Sequence, residues 1–127
     1  MTGVARERGR SVLVVDDSGY ARLRARRYLE SLGVETVLEA ADGEEALSLY
    51  FSAWPALVLL DQIMRGTEGL DVARALREAD PEARIVMLTV LSDPGLAVRA
   101  RQAGVAAVVA KDRLEDLGPF VREAACV

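Results

Sequence analysis

The sequence predicts one α/β domain, a doubly wound parallel sheet of five strands flanked by five helices, and three observations carry that expectation. Short, nearly wholly apolar runs recur along the chain, the pattern of strands covered on both faces. Between them lie stretches whose apolar residues repeat at helical spacing. The 127 residues, 51% of them hydrophobic, suffice for one compact core and leave no room for a second.

The first strand is Ser11 to Val15, ending on the pair Asp16 and Asp17. The helix that follows places Ala21, Ala25, Tyr28, Leu29 and Leu32 on one side and Arg22, Arg24, Arg26 and Arg27 on the other, and Gly33 stops it. Thr36 to Leu38 is a short second strand. Asp42, with Glu45 three residues on, forms a capping box that starts a second helix over Glu44 to Phe51, and Trp54-Pro55 closes the unit. The third strand, Ala56 to Leu60, is apolar throughout, so it belongs at the centre of the sheet, and it ends on Asp61. After a loop from Gln62 to Gly69, Leu70, Val72, Ala73 and Leu76 mark a third helix ended by Asp80-Pro81. Ile85 to Leu88 forms the fourth strand and runs into Thr89. Asp93-Pro94 opens a fourth helix and Gly104 closes it, proline in and glycine out. Ala106 to Ala110 is the fifth strand, ending on Lys111, and a last helix lies within Leu114 to Ala125, where Gly118-Pro119 interrupts its start. Residues 1–10, with three arginines and no apolar run, read as a frayed, disordered tail ahead of a domain spanning 11–127.

Sixteen Lys and Arg against twenty Asp and Glu give a net charge of −4. The positive charges scatter rather than form a stripe, which argues against direct nucleic-acid binding and against a membrane surface. No run approaches the length of a membrane span, and the N-terminus lacks the apolar centre of a secretory signal. The single cysteine, Cys126, permits no internal disulfide and suits a reducing compartment, so the cytoplasm is the expected location. At the chain end it reads as inert.

In an open parallel sheet, ligands bind outside the carboxyl ends of the strands. Here Asp16 and Asp17 follow strand one, Asp61 strand three, Thr89 strand four and Lys111 strand five. If strands one and three are neighbours, three carboxylates converge. Two like charges about 4 Å apart repel by roughly 4 kcal/mol at an effective dielectric of about 20, so a cation is needed to neutralise them. Magnesium, which takes a few carboxylates plus waters, fits a shallow sheet edge better than calcium. A carboxylate beside such an ion can attack phosphorus, because the ion screens the repulsion between two anions. A lysine and a threonine hydroxyl opposite would hold the transferred oxygens. Lys111 is the only lysine among the sixteen basic residues. Its ammonium is a compact point charge, which one oxygen in a tight pocket prefers to the broad guanidinium fork.

Taken singly, each of these residues is more simply a strand-end cap or a surface charge. It is their order along one edge, acidic pair, Asp, Thr, Lys, that singles them out. Leu23, Leu49 and Met64 read as ordinary packing. The arginines from Arg22 to Arg27 read as a solvated helix face, with kinase docking as the alternative.

The segments VLVVDDS, LVLLDQIMRGTEG, VMLTV and AGVAAVVAKD resemble the receiver domains of two-component response regulators, and the likeness runs from Ser11 to about Ala125. That resemblance implies a flavodoxin-like, CheY-like three-layer sandwich with strand order 2-1-3-4-5, and a signalling switch rather than a turnover enzyme. Asp61 would be the phosphoacceptor, served by a sensor histidine kinase or a phosphotransfer protein, with Thr89 as switch hydroxyl and Lys111 as phosphoryl partner. Mg2+ would be held by Asp16, Asp17, Asp61 and the backbone carbonyl of Ile63. Output would pass through the face of the fourth helix, fifth strand and last helix to a downstream partner or output domain, a phosphorylation-linked homodimer being one form it takes. The LTVLSDPG segment and the KD ending look most like receivers of transcriptional regulators that carry a helix-turn-helix domain.

Three positions depart from the family pattern: Arg65 and Asp112 stand where proline is usual, and Val108 where an aromatic residue is usual. A valine sweeps little volume, which puts an aromatic-type switch there in doubt. Ile63 and Leu91, two residues after Asp61 and Thr89, are apolar and cannot orient a water, so slow self-dephosphorylation is expected. Two rival functions are disfavoured. A magnesium phosphatase would need a second acid where Ile63 stands, and a pseudo-receiver would lack part of the acidic cluster or the lysine.

Overall fold

The computed structural model describes residues 8–90 and 93–127. In chain order it contains β1 (Val12–Val15), α1 (Gly19–Ser31), β2 (Val37–Ala40), α2 (Gly43–Ala53), β3 (Leu57–Leu60), a hairpin of β4 (Ile63–Met64) and β5 (Thr67–Glu68), and α3 (Gly69–Ala79). There follow β6 (Ile85–Thr89), α4 (Pro94–Gln102), β7 (Ala107–Ala110), a 3-10 turn (Leu114–Leu117) and α5 (Gly118–Ala125). Five strands form one parallel sheet in the order β2-β1-β3-β6-β7, which is the expected 2-1-3-4-5 once the hairpin is set aside.

Successive side chains of a strand point to opposite faces, and the two cores follow that alternation. Leu13, Val15, Val58, Leu60, Ile85 and Met87 pack with Tyr50, Leu70, Leu76 and Leu96, the contribution of α2, α3 and α4. Val12, Val14, Leu57, Leu59, Val86 and Leu88 face the other way onto Ala25, Leu29, Leu117 and Val121 of α1, the 3-10 turn and α5. Cover on both faces is why the central strands carry continuous apolar runs. It also leaves the strand ends as the place for polar chemistry.

Helix starts follow local caps: Ser18 accepts from the Ala21 N–H, Asp42 from the Glu45 N–H and Asp93 from the Gly95 N–H. Glu45 answers Asp42 by accepting from the Ala41 N–H. Elsewhere pairing overrides the local pattern. The second strand runs over Val37–Ala40 rather than Thr36 to Leu38, because its register with β1, from Val12↔Val37 to Val15↔Ala40, decides the boundary. The expected loop from Gln62 to Gly69 contains the β4–β5 hairpin, whose turn at Arg65 and Gly66 has Gly66 at φ +76°. Strands of two residues have no periodicity to read. The last helix divides at Gly118, with Pro119 in the first turn of α5, where a missing N–H costs nothing.

Of the stretch 1–10, residues 1–7 lie outside the described residues. Arg8 is tied down: its guanidinium donates to the Tyr50 hydroxyl at 2.8 Å and to Asp80 at 2.6 Å, and lies 4.9 Å over the Trp54 ring. The buried Tyr50 hydroxyl in turn donates to Asp80 at 2.6 Å. The arginine-rich side of α1 is solvated only at Arg24 and Arg27. Arg22 and Arg26 clamp Glu39 on the edge strand β2, at 3.0 and 2.8 Å, which shields that edge. Leu49 and Met64 pack against the core as expected, whereas Leu23 is exposed. Among the described residues, no helix is long and apolar enough to cross a membrane.

Candidate functional site

The acidic residues owe their position to the sheet. Pairing of β1 with β3 runs in register from Val12↔Leu57 to Val15↔Leu60, so Asp16 and Asp61 each leave the sheet one residue later, side by side. The ladder continues through both: the Asp16 N–H donates to the Ala40 carbonyl at 3.0 Å and the Asp61 N–H to the Val15 carbonyl at 2.9 Å. Arg22 holds the Asp16 carbonyl at 2.6 Å. Asp16 and Asp61 are buried and Asp17 is half-buried, and the three carboxylates offer oxygens that all lie within 4.8 Å of one another.

Lys111 follows the last residue of β7, and its N–H donates to the Thr89 carbonyl at 3.0 Å. Its ammonium reaches back across the sheet edge, 2.5 Å from Asp16 Oδ2 and 3.4 Å from Asp61 Oδ2. Thr89, the last residue of β6, is buried and paired in register with Ala110. The structure thus brings Asp16, Asp17, Asp61 and Lys111 into one cluster, with Thr89 at the adjoining strand end. Asp16 Oδ1 also accepts from the Ser18 N–H at 2.9 Å, and the Ile63 N–H donates to the Asp61 carboxylate. Asp17 Oδ2 accepts from the Arg65 N–H at 3.0 Å. Val108 is half-buried against the core formed with α2, α3 and α4, while Leu91 lies outside the described residues.

Burial, and then the charge of Asp16, push the Asp61 carboxyl above its ordinary range; Lys111 and the Ile63 N–H offset this only in part. Burial pulls the Lys111 ammonium down, but the contacts with Asp16 and Asp61 outweigh it and hold the group above its usual value. The lysine is therefore a fixed cation at neutral pH, and even with the exposed Arg65 guanidinium 3.7 Å from Asp17 it leaves three carboxylates with excess negative charge.

Two residues that hold the site were not singled out by the sequence. The Gln62 side chain is buried and accepts from the Leu70 N–H at 2.9 Å. It takes the capping role at the start of α3, where Glu68 makes no side-chain cap. A lone glutamine in a loop carries no signal for this. Gly69 donates its N–H to the Gln62 carbonyl at 2.8 Å and passes so close to Asp61 that a Cβ would overlap the Asp61 carbonyl oxygen. The glycine closing the loop was visible in the sequence; the backbone it must approach was not.

The family profile of the response regulator receiver domain matches residues 12–118. The chain is 28% identical over 103 residues to the chemotaxis protein CheY of Thermotoga maritima, covering 81% of this chain and 86% of that protein. It is 35% identical over 102 residues to the response regulator UvrY of Escherichia coli, covering 80% of this chain and 47% of that protein. It therefore spans most of the one and about half of the other. Among solved structures, the signal receiver domain of NarL from Mycobacterium tuberculosis superposes with a TM-score of 0.81 at 30% identity, covering 94% of this chain and 98% of that one. With the strand order, the edge cluster and a profile match over most of its length in agreement, the chain belongs to the response regulator receiver domain family.

Proposed function

We propose that this domain is the phosphorylation-controlled switch of a two-component system, accepting a phosphoryl group on Asp61 from the phosphohistidine of a sensor kinase or phosphotransfer protein. The observation that carries this reading is Lys111, the only lysine of the chain, drawn 3.4 Å from Asp61 and 2.5 Å from Asp16 at the sheet edge. In the transfer, an Asp61 oxygen forms a bond to phosphorus as the bond from phosphorus to the donor imidazole nitrogen breaks, and that nitrogen keeps the electron pair and takes a proton. Lys111 meets a phosphoryl oxygen as a point charge, and Thr89 supplies a hydroxyl from the neighbouring strand end.

The donor set suits magnesium: three carboxylates share one open edge, and Lys111 leaves them under-neutralised. Asp16, Asp17, Asp61 and the Ile63 carbonyl would hold the ion, which when bound screens the approach of an anionic donor. An acyl phosphate carries more negative charge than the carboxylate it replaces, so it draws Lys111 away from Asp16. That strain passes into β7 and thence to the face of α4, β7 and α5, where Val98 is exposed and Val108 contributes little. The partner there is a downstream protein, an attached output domain or a second copy. The LTVLSDPG segment and the KD ending favour output in transcription, and the reading places the domain in the cytoplasm. The domain is a switch and not a turnover enzyme.

The test is incubation of purified protein with magnesium and a small phosphodonor, scoring acid-labile phosphate. One equivalent on wild type and none on Asp61→Asn is expected. Equal labelling of Asp61→Asn would overturn the reading, as would failure of magnesium or beryllofluoride to perturb the site in nuclear magnetic resonance spectra.

A further inference from the structure

Arg65 sits at the turn of the β4–β5 hairpin and is exposed. Asp17 receives two contacts from it: the backbone N–H at 3.0 Å and the guanidinium Nε at 3.7 Å, on the same carboxylate oxygen Oδ2. The two contacts differ in kind. The N–H is fixed by the hairpin and orients Asp17 without adding charge. The guanidinium stands on a long side chain that is 92% exposed, against 27% for Asp17, so it approaches from solvent and is free to leave. Asp16 has a counter-ion of its own, Lys111, whose side chain is half-buried at 18% exposure.

We propose that Arg65 is an internal counter-ion that competes with a divalent cation for Asp17 and so sets the metal concentration at which the site loads. This inference rests on the metal reading above. Magnesium needs carboxylate oxygen at about 2.1 Å and its remaining positions filled by water, and the guanidinium stands 3.7 Å from an Asp17 oxygen that such an ion could take. Metal and guanidinium repel one another, so occupancy by one disfavours the other. Exposed ion pairs are weak, which limits the effect to about two- to fivefold in metal affinity at low salt, fivefold being about 1 kcal/mol. Exposed pairs are also screened, so the competition fades as ionic strength rises. A penalty imposed by the half-buried Lys111 would fade far less.

Calorimetric titration of magnesium into the folded protein, at low and at high salt, tests this with wild type, Arg65→Gln and Arg74→Gln. Arg74 is an exposed arginine paired with Asp71, so its substitution makes the same change in net charge away from the cluster. Arg65→Gln keeps the backbone N–H and is expected to bind magnesium about two- to fivefold more tightly than wild type at low salt. That gain should disappear at high salt, and Arg74→Gln should match wild type throughout. Equal or weaker binding by Arg65→Gln would overturn the inference, as would an equal gain in Arg74→Gln or a gain indifferent to salt. If magnesium binds neither wild type nor Arg65→Gln, the metal reading itself falls and this inference with it; if it binds all three alike, only the inference falls.

Discussion

Replacing Gly69 by alanine perturbs Asp61, the proposed phosphoacceptor, through the backbone alone. A Cβ at Gly69 would overlap the Asp61 carbonyl oxygen and lie 2.9 Å from both the Asp61 carbonyl carbon and the Gln62 Cα. These are main-chain atoms, so no rotamer change relieves the clash. The Gly69 N–H is also bonded to the Gln62 carbonyl at 2.8 Å, which holds the two segments together. Ordinary carbon contacts lie at about 3.5 to 4.0 Å, so the segments must part by roughly 1 Å. Overpacking of that kind costs about 1 to 3 kcal/mol. With an unfolding entropy of about 2.1 cal/mol/K per residue over the 127 residues, the melting temperature should fall by about 4 to 11 °C. Displacing a reacting group by 1 Å costs on the order of a hundredfold in rate, so phosphorylation should slow by about that factor. The assay pairs thermal melts with the rate of acid-labile phosphate incorporation. Gly66→Ala is the control, because Gly66 has φ +76° but nothing within 4 Å of a built Cβ, so it strains its own turn without touching Asp61. A Gly69→Ala protein that melts within 2 °C of wild type and phosphorylates within about threefold of it would refute the reasoning.

Tyr50→Phe removes a buried hydroxyl that donates to Asp80 at 2.6 Å and accepts from Arg8 at 2.8 Å. A hydrogen bond to a charged group is worth about 1.5 to 3 kcal/mol, so a loss near 2 kcal/mol, or about 7 °C in Tm for 127 residues, is expected. Burial pushes the Asp80 carboxyl up, but the bonds from Tyr50 and Arg8 outweigh it and hold the group below its ordinary range. This contribution is fully present above the unfolded value and is lost as pH falls through the lower folded one. The Tyr50→Phe penalty should therefore shrink in acid, and melts at neutral and acid pH that show the same penalty would count against it. At the alkaline end, Tyr50 is pushed up to about 12, chiefly by burial, so stability falls as pH rises from the ordinary tyrosine value towards that one. Lys111→Arg is expected to keep the fold but leave phosphorylation poorly coupled to output. Full switching from 1:99 to 99:1 takes about 5.5 kcal/mol, and a lost charge-assisted contact removes about 2 kcal/mol of it. Wild-type partner binding by the phosphorylated variant would contradict this. Ile63 is exposed beside the acidic cluster, and Ile63→Asn, which can orient a water, should speed phosphate loss by up to about a hundredfold; decay curves that superpose on wild type would show that this side chain does not set the lifetime.

The five strands of the parallel sheet, their cover on both faces and the edge where the polar residues gather were all legible in the sequence. Strand–helix repeats of one hand place every carboxyl end of a parallel sheet on one side, so the residue after each apolar run is legible as an edge residue. Asp16, Asp17, Asp61, Thr89 and Lys111 are legible on that ground. Caps and breakers, such as Asp42 with Glu45 and Asp93 with Pro94, are equally local and marked helix starts to within a residue or two. Tertiary structure decided the rest. Which carboxylate Lys111 touches depends on a strand order that joins positions 95 residues apart, and its shorter contact is with Asp16 rather than with Asp61. The register of β2, the hairpin holding Arg65 against Asp17 and the tie from Arg8 to Asp80 arise from segments that meet only on packing. Gly69 is the plainest case: a glycine closing a loop has many local explanations, and only the approach of the Asp61 backbone requires this one. Periodicity and capping act within a few residues along the chain, whereas close approach and the choice of ion-pair partner depend on atoms that folding brings together.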